Sequence, residues 1–129
     1  MDGYSRLLVS IPAKKILVVE DDGDLREEIA AFITDLGVEV QQACDGVEGL
    51  EHLANGPPPS AILLDMRMPR LDGPGFLEAI RCEPHLAEIP VVTMTGDPEA
   101  VPGGAIASRL HKPFDIEELA RIMVSLCGA

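Results

Sequence analysis

Tryptophan is absent from this chain, and one tyrosine with three phenylalanines bring aromatics to only 3% of its residues. Loops so poor in rings cannot sandwich a flavin. Basic residues are scarce too: 10 Lys and Arg stand against 22 Asp and Glu, a net charge of −12. Nucleic acid and anionic membrane surfaces are gripped through basic patches, so neither is an expected direct partner. Cations and basic protein surfaces are. The three cysteines, Cys44, Cys82 and Cys127, are widely spaced and form no CxxC, which excludes a disulfide framework and suits unpaired thiols in a reducing cytoplasm. His52, His85 and His111 lack metal-ligand spacing and read as surface residues. The longest early apolar run, Leu7 to Ile11, is too short for a signal peptide core or a membrane span. Internal repeats and low-complexity segments are missing as well. What is there is 129 residues, 47% hydrophobic and 25% charged, enough for one globular domain that buries its own core.

The chain reads as alternating strands and helices. Lys15 to Val19 is a short, continuous apolar run, the pattern of a strand buried on both faces of a parallel sheet. Leu25, Ile29, Phe32 or Ile33, and Leu36 then recur at helical spacing, with Asp24 the expected N-cap and Gly37 the C-cap. Val38–Ala43 alternates like a strand, and Val47, Leu50 and Ala54 mark a short helix ending at Asn55-Gly56. After the stiff Pro57-Pro58-Pro59 connection, Ala61–Leu64 is a second buried strand that runs into Asp65. Met66–Pro74 has the Pro and Gly density of a loop, and Phe76, Leu77 and Ile80 belong to a helix ending before Pro84. Ile89–Thr95 is the fourth strand. Residues 96–106 leave room for about one helical turn among Pro98, Pro102, Gly103 and Gly104. Ala107–Leu110 is a weak fifth strand, and Ile116, Leu119, Ala120, Met123 and Cys127 give a last amphipathic helix. Right-handed crossovers then make a parallel sheet with helices on both faces.

In such a sheet, ligands bind at the carboxyl ends of the strands, where strand order reverses. Strand one would deliver Glu20 and Asp21 there, strand three Asp65, strand four Thr95 and strand five Lys112. Crowded carboxylates repel one another and raise a pKa unless a cation intervenes. Hard oxygen donors in a half-solvated cleft suit Mg²⁺. An Asp oxygen beside a divalent ion, a lysine and a threonine is equipped to take a phosphoryl group. Each group alone has an ordinary reading: Glu20-Asp21-Asp22 as a solvated loop and helix cap, Asp65 and Thr95 as turn residues, Lys112 as an exposed lysine. Their joint arrival from four strand ends is what points to chemistry.

Four stretches carry a family resemblance: Ile16-Leu17-Val18-Val19-Glu20-Asp21-Asp22, Leu63 to Gly73, Ile89 to Gly96, and His111-Lys112-Pro113-Phe114. In this order they resemble the receiver domain of a two-component response regulator, CheY-like, over residues 14–127. The resemblance implies a flavodoxin-like (βα)5 three-layer sandwich of sheet order 2-1-3-4-5, with residues 1–13 an N-terminal extension and 14–129 the receiver domain. It makes Asp65 the phosphoacceptor, and Asp21, Asp65 and the Arg67 backbone carbonyl Mg²⁺ ligands, with Glu20 acting largely through water. Thr95 becomes the hydroxyl that turns toward the phosphoryl group, Lys112 its ionic partner, and Gly96 the small residue that leaves it room. The Lys112–Pro113 bond is expected to be cis.

Two departures from the family pattern stand out. The chain is about one helical turn or more short between Thr95 and Lys112, so the fourth helix of the fold is expected to be stunted or missing. Arg109 takes a position, three before Lys112, where the family carries an aromatic. Phosphorylation chemistry is expected to survive this; the aromatic-coupled output is not expected in its usual form. The implied partners are a histidine kinase or histidine phosphotransfer protein and an unidentified downstream protein, with phosphorylation-dependent homodimerisation as one route to output. A phosphoacceptor of this kind is no enzyme toward other substrates. A chain ending at Ala129 is expected to be a single-domain regulator, the alternative being a fragment of a larger regulator or hybrid kinase. Competing readings are a binding module indifferent to phosphate, a flavodoxin-like cofactor protein, and an aspartate-dependent phosphatase. Arg67 opposes the last, because such phosphatases place a second acid two residues after the nucleophile.

Overall fold

The computed structural model describes residues 14–96 and 106–127. The expected extension over 1–13 and the expected stunted helix between the fourth and fifth strands lie outside them. The elements are β1 (Lys15–Val19), α1 (Gly23–Asp35), β2 (Glu39–Ala43), α2 (Gly46–Ala54), β3 (Ala61–Asp65), α3 (Gly73–Arg81), β4 (Val91–Thr95), β5 (Ile106–His111) and α4 (Ile116–Cys127). All strand pairs are parallel, in the order β2-β1-β3-β4-β5, as expected.

Alternation along the strands builds two apolar layers. Ile16, Val18, Leu63, Val92 and Met94 face α1 and α4, where they meet Ile29, Ile33, Leu119 and Met123. Leu17, Val19, Ile62, Leu64 and Val91 face α2 and α3, where they meet Leu53, Phe76, Leu77 and Ile80. Because β1 and β3 feed both layers, every residue of β3 is buried, which is why the sequence shows unbroken apolar runs there. Each such side chain taken fully out of water contributes about 1.5–3 kcal/mol.

Several boundaries differ from the sequence reading: β2 begins at Glu39 rather than Val38, and α3 begins at Gly73, inside the expected Met66–Pro74 loop. The N-cap of α1 is Asp22, not Asp24: its Oδ1 accepts the N–H groups of Asp24 and Leu25 at 3.1 and 3.2 Å. Asp24 sits inside the first turn, where a carboxylate favours the helix dipole without capping it. β4 begins at Val91 rather than Ile89, since the Ile89 N–H is spent on a turn to the Leu86 carbonyl at 3.1 Å and Pro90 has none to give. β5 runs Ile106–His111, longer than expected. Its register against β4 slips between Val91 and Val92, and that irregularity blurs the alternation a sequence reader looks for. Gly37, at φ +89, ends α1 as anticipated.

Candidate functional site

The shared strand direction brings four chain segments to one edge of the sheet. Glu20 and Asp21 follow β1, Asp65 closes β3, Thr95 closes β4, and Lys112 follows β5. Carboxylate oxygens of Glu20, Asp21 and Asp65 all lie within 4.8 Å of one another. Lys112 points its amine into this cluster, with Nζ 2.7 Å from Glu20 Oε1 and 3.3 Å from Asp65 Oδ1. Thr95 is buried at the same edge, and its carbonyl accepts the Lys112 N–H at 2.7 Å. The Lys112–Pro113 peptide is cis, as the resemblance implied.

Glu20 has no solvent exposure and Asp65 only 3%. A carboxylate so placed needs partners. Glu20 Oε2 accepts the Asp22 N–H at 3.2 Å, and its backbone is held by its own N–H to the Ala43 carbonyl at 3.0 Å and by Arg26 Nη1 on its carbonyl at 2.8 Å. Asp65 Oδ1 accepts the Arg67 N–H at 3.2 Å. Asp21 is exposed and forms the rim.

Burial pushes the Asp65 carboxyl up, and hydrogen bonds shared with Glu20 and Asp21 push it further, to about 7. Below about pH 7 one proton is thereby retained among the crowded acids. Desolvation also raises Asp21, but its hydrogen bonds with Asp65 and Glu20 outweigh this and hold it below the usual carboxylate range. Burial pulls Lys112 down, while the hydrogen bond and charge of Glu20, then those of Asp65, more than offset it and leave its pKa raised.

Three carboxylates against one ammonium leave negative charge uncompensated, and the donors are all hard oxygens. An octahedral Mg²⁺ with bonds of about 2.1 Å needs ligand oxygens about 3.0 or 4.2 Å apart. Carboxylate oxygens that all lie within 4.8 Å of one another are on that scale, and the all-oxygen donor set fits the ion. A Cβ built on Gly96 meets only the Lys112 carbonyl, at 3.9 Å, so the backbone beside Thr95 is uncrowded. Arg109 stands exposed on β5, in register with Thr93.

Asp45 and Arg70 are not among the residues that the sequence pattern singles out. Asp45 is buried, caps α2 by accepting the Glu48 N–H at 2.9 Å, and pairs with Arg70 Nε at 2.7 Å. An acid followed three residues later by Glu is a helix-start signal that could have marked Asp45. Nothing local marks Arg70.

Comparison with known proteins agrees with this geometry. Residues 16–123 match the family described as response regulator receiver domain. The chain is 34% identical to the DNA-binding dual master transcriptional regulator RpaA of Synechocystis, over 87% of this chain and 48% of that regulator. It is 37% identical to the response regulator MprA of a Mycobacterium species, over 87% of this chain and 50% of that protein. It therefore spans about half the length of the curated relatives it matches. Among solved structures it superimposes on the chemotaxis response regulator CheY4 of Vibrio cholerae with TM-score 0.82 and 25% identity, covering 89% of this chain and 99% of that one. The receiver domain of a sensor histidine kinase from Pseudomonas aeruginosa, solved with magnesium coordinated in its active site cleft, gives TM-score 0.79 and 29% identity over 92% of this chain and all of that one.

Proposed function

This chain belongs to the response regulator receiver domain family, and from that premise we propose that it accepts a phosphoryl group on Asp65 in a Mg²⁺-dependent step. The donor is a phosphohistidine on a histidine kinase or histidine phosphotransfer protein. The observation that carries this reading is the Lys112 amine held against both Glu20 and Asp65 within the three-carboxylate cluster.

An Asp65 carboxylate oxygen forms a bond to phosphorus as the phosphorus–nitrogen bond of the donor breaks. The electron pair leaves with the imidazole nitrogen, and Asp65 becomes an acyl phosphate. Only the ionised carboxyl is a nucleophile, and the adjacent ammonium of Lys112 favours that form. The Arg67 N–H holds the carboxylate in orientation. Asp21, Asp65 and the Arg67 carbonyl would hold the metal, with Glu20 acting through water. Bound Mg²⁺ supplies neutralising charge to the oxygens of the transferred group. Lys112 would pair with the new phosphoryl group, and the Thr95 hydroxyl would donate to it.

The added charge biases the segments that carry Thr95 and Lys112, and this alters binding of a downstream partner or of a second copy of the chain. The protein acts as a phosphoacceptor that turns over only its own phosphoryl group, in the cytoplasm. Among the described residues no helix is long and apolar enough to cross a membrane.

Intact-mass measurement after acetyl phosphate treatment tests this reading. One phosphoryl adduct is expected with Mg²⁺, none after chelation and none in Asp65→Asn. Failure of both acetyl phosphate and a phosphohistidine donor to label the wild type would overturn it, as would an adduct that survives Asp65→Asn.

A further inference from the structure

We propose that the Asp45–Arg70 ion pair is a positioning device for the Mg²⁺-binding turn after β3, tying that turn to the corner between β2 and α2. This rests on the metal-site reading above and extends it to two residues outside the site.

The turn after β3 carries Arg67, whose N–H already holds Asp65. Three residues on, Arg70 adopts φ +65, and the Leu71 N–H closes onto the Pro69 carbonyl at 2.8 Å. A three-residue turn of that hand is rare and strained for a residue with a side chain, and glycine would adopt it freely. Arginine is there instead, and its Nε reaches Asp45 Oδ2 at 2.7 Å across 25 positions of sequence. The two partners differ in what they can tolerate. The Asp45 side chain is 7% exposed and the Arg70 side chain 59% exposed, so the carboxylate depends on the pair more than the guanidinium does.

Asp45 is itself rigidly placed. Its Oδ1 caps α2 through the Glu48 N–H, and Glu48 Oε1 returns to accept the Cys44 N–H at 2.8 Å. A second tie joins the same two corners: the Gly46 N–H donates to the Leu71 carbonyl at 3.2 Å. A Cβ on Gly46 would lie 2.5 Å from that oxygen, so the corners are in backbone contact. The turn is therefore tied to that corner at two successive residues, through the Arg70 side chain and the Leu71 carbonyl. At one end it carries the backbone that orients Asp65, and at the other it leads into α3. Groups behind the ligands of a metal site tune its affinity by fixing where those ligands sit. The ion pair does this through the backbone.

The test compares Arg70→Gly, Asp45→Asn and the double variant with wild type. Mg²⁺ titration by calorimetry is read beside amide hydrogen exchange across residues 66–72 in metal-free protein. Glycine accepts φ +65 without strain, and asparagine can still cap α2, so both folds should persist. Positioning predicts Mg²⁺ affinity weakened about tenfold in Arg70→Gly and faster exchange at Arg67 and Leu71; loss of the partner of the buried Asp45 carboxylate also lowers the metal-free unfolding midpoint, a shift that does not by itself move the Mg²⁺ affinity of the folded protein. Asp45→Asn should show the same loss, and the double variant no more than either single one. Wild-type Mg²⁺ affinity together with unchanged exchange in Arg70→Gly, or in Asp45→Asn should the first not fold, overturns the proposal. A wild type that binds no Mg²⁺ would instead overturn the metal-site reading beneath it.

Discussion

Lys112 Nζ donates to Glu20 Oε1 at 2.7 Å, although the two residues stand 92 positions apart in the chain. Glu20 is wholly enclosed, and a buried carboxylate stripped of its cationic partner is costly even where the pair as a whole contributes little. The lysine thus has a structural task in the resting protein besides the role proposed for it toward the phosphoryl group.

Replacing that lysine should therefore destabilise the metal-free protein. Lys112→Ala is expected to cost about 2 kcal/mol, toned down because the lysine side chain is 26% exposed, or roughly 8 °C in melting temperature for a chain of this size. Millimolar Mg²⁺ should recover part of the deficit, because a cation in the cluster takes over charge compensation. Thermal melts with and without Mg²⁺ measure this. An equal deficit in both conditions would argue against a cation binding among these carboxylates.

Asp65 sets a pH dependence of the opposite sign to the common carboxylate case. Its carboxyl is raised to about 7 by burial and by Glu20 and Asp21, so between about pH 4 and 7 the folded protein holds a proton that the unfolded chain has released. Stability from this group is present in full below the unfolded value and is lost as pH rises through 7. Asp65→Asn should remove that loss and melt several degrees above wild type at pH 8 in a chelator. The gap should close toward pH 4. The retained proton also competes with the metal, so Mg²⁺ affinity should fall as pH drops below 7. Melting curves and Mg²⁺ titrations across pH 5–8 check both trends.

The start of α1 offers a cleaner stability test. Asp22→Ala removes the acceptor for two helix N–H groups and should cost about 1 kcal/mol in urea denaturation. Asp24→Ala, one turn position inside the helix, should stay within about 0.5 kcal/mol of wild type. Equal effects from the two would show that the cap is shared.

Much of the fold is legible residue by residue, because the signals are local. Unbroken apolar runs announce β1 and β3, Gly37 ends α1, and Asn55-Gly56 ends α2. The errors arise where a local rule has two candidates or a tertiary irregularity intrudes. Both Asp22 and Asp24 are good caps in composition, and the choice fell to which carboxylate reaches the free N–H groups. The Val91/Val92 register slip against β5 belongs to a strand pair, and neither strand shows it alone.

The candidate site divides in the same way. Glu20, Asp21, Asp65, Thr95 and Lys112 could be named from their positions at strand ends, since a parallel sheet sends all those ends to one edge. That Glu20 is enclosed while its neighbour Asp21 is at the rim could not be read from Glu-Asp-Asp. Nor could the Asp45–Arg70 pair, whose partners meet only after two loops pack together.

Order along the chain thus determined the element types, the parallel architecture and the identity of the groups gathered at the candidate site, because backbone preference and side-chain periodicity act over a few residues. Which acid keeps a proton, which oxygen the ammonium meets and what braces the turn after β3 were decided by folding. Burial and charge spacing are properties of side chains from distant segments, and they take values only when those segments are packed against one another.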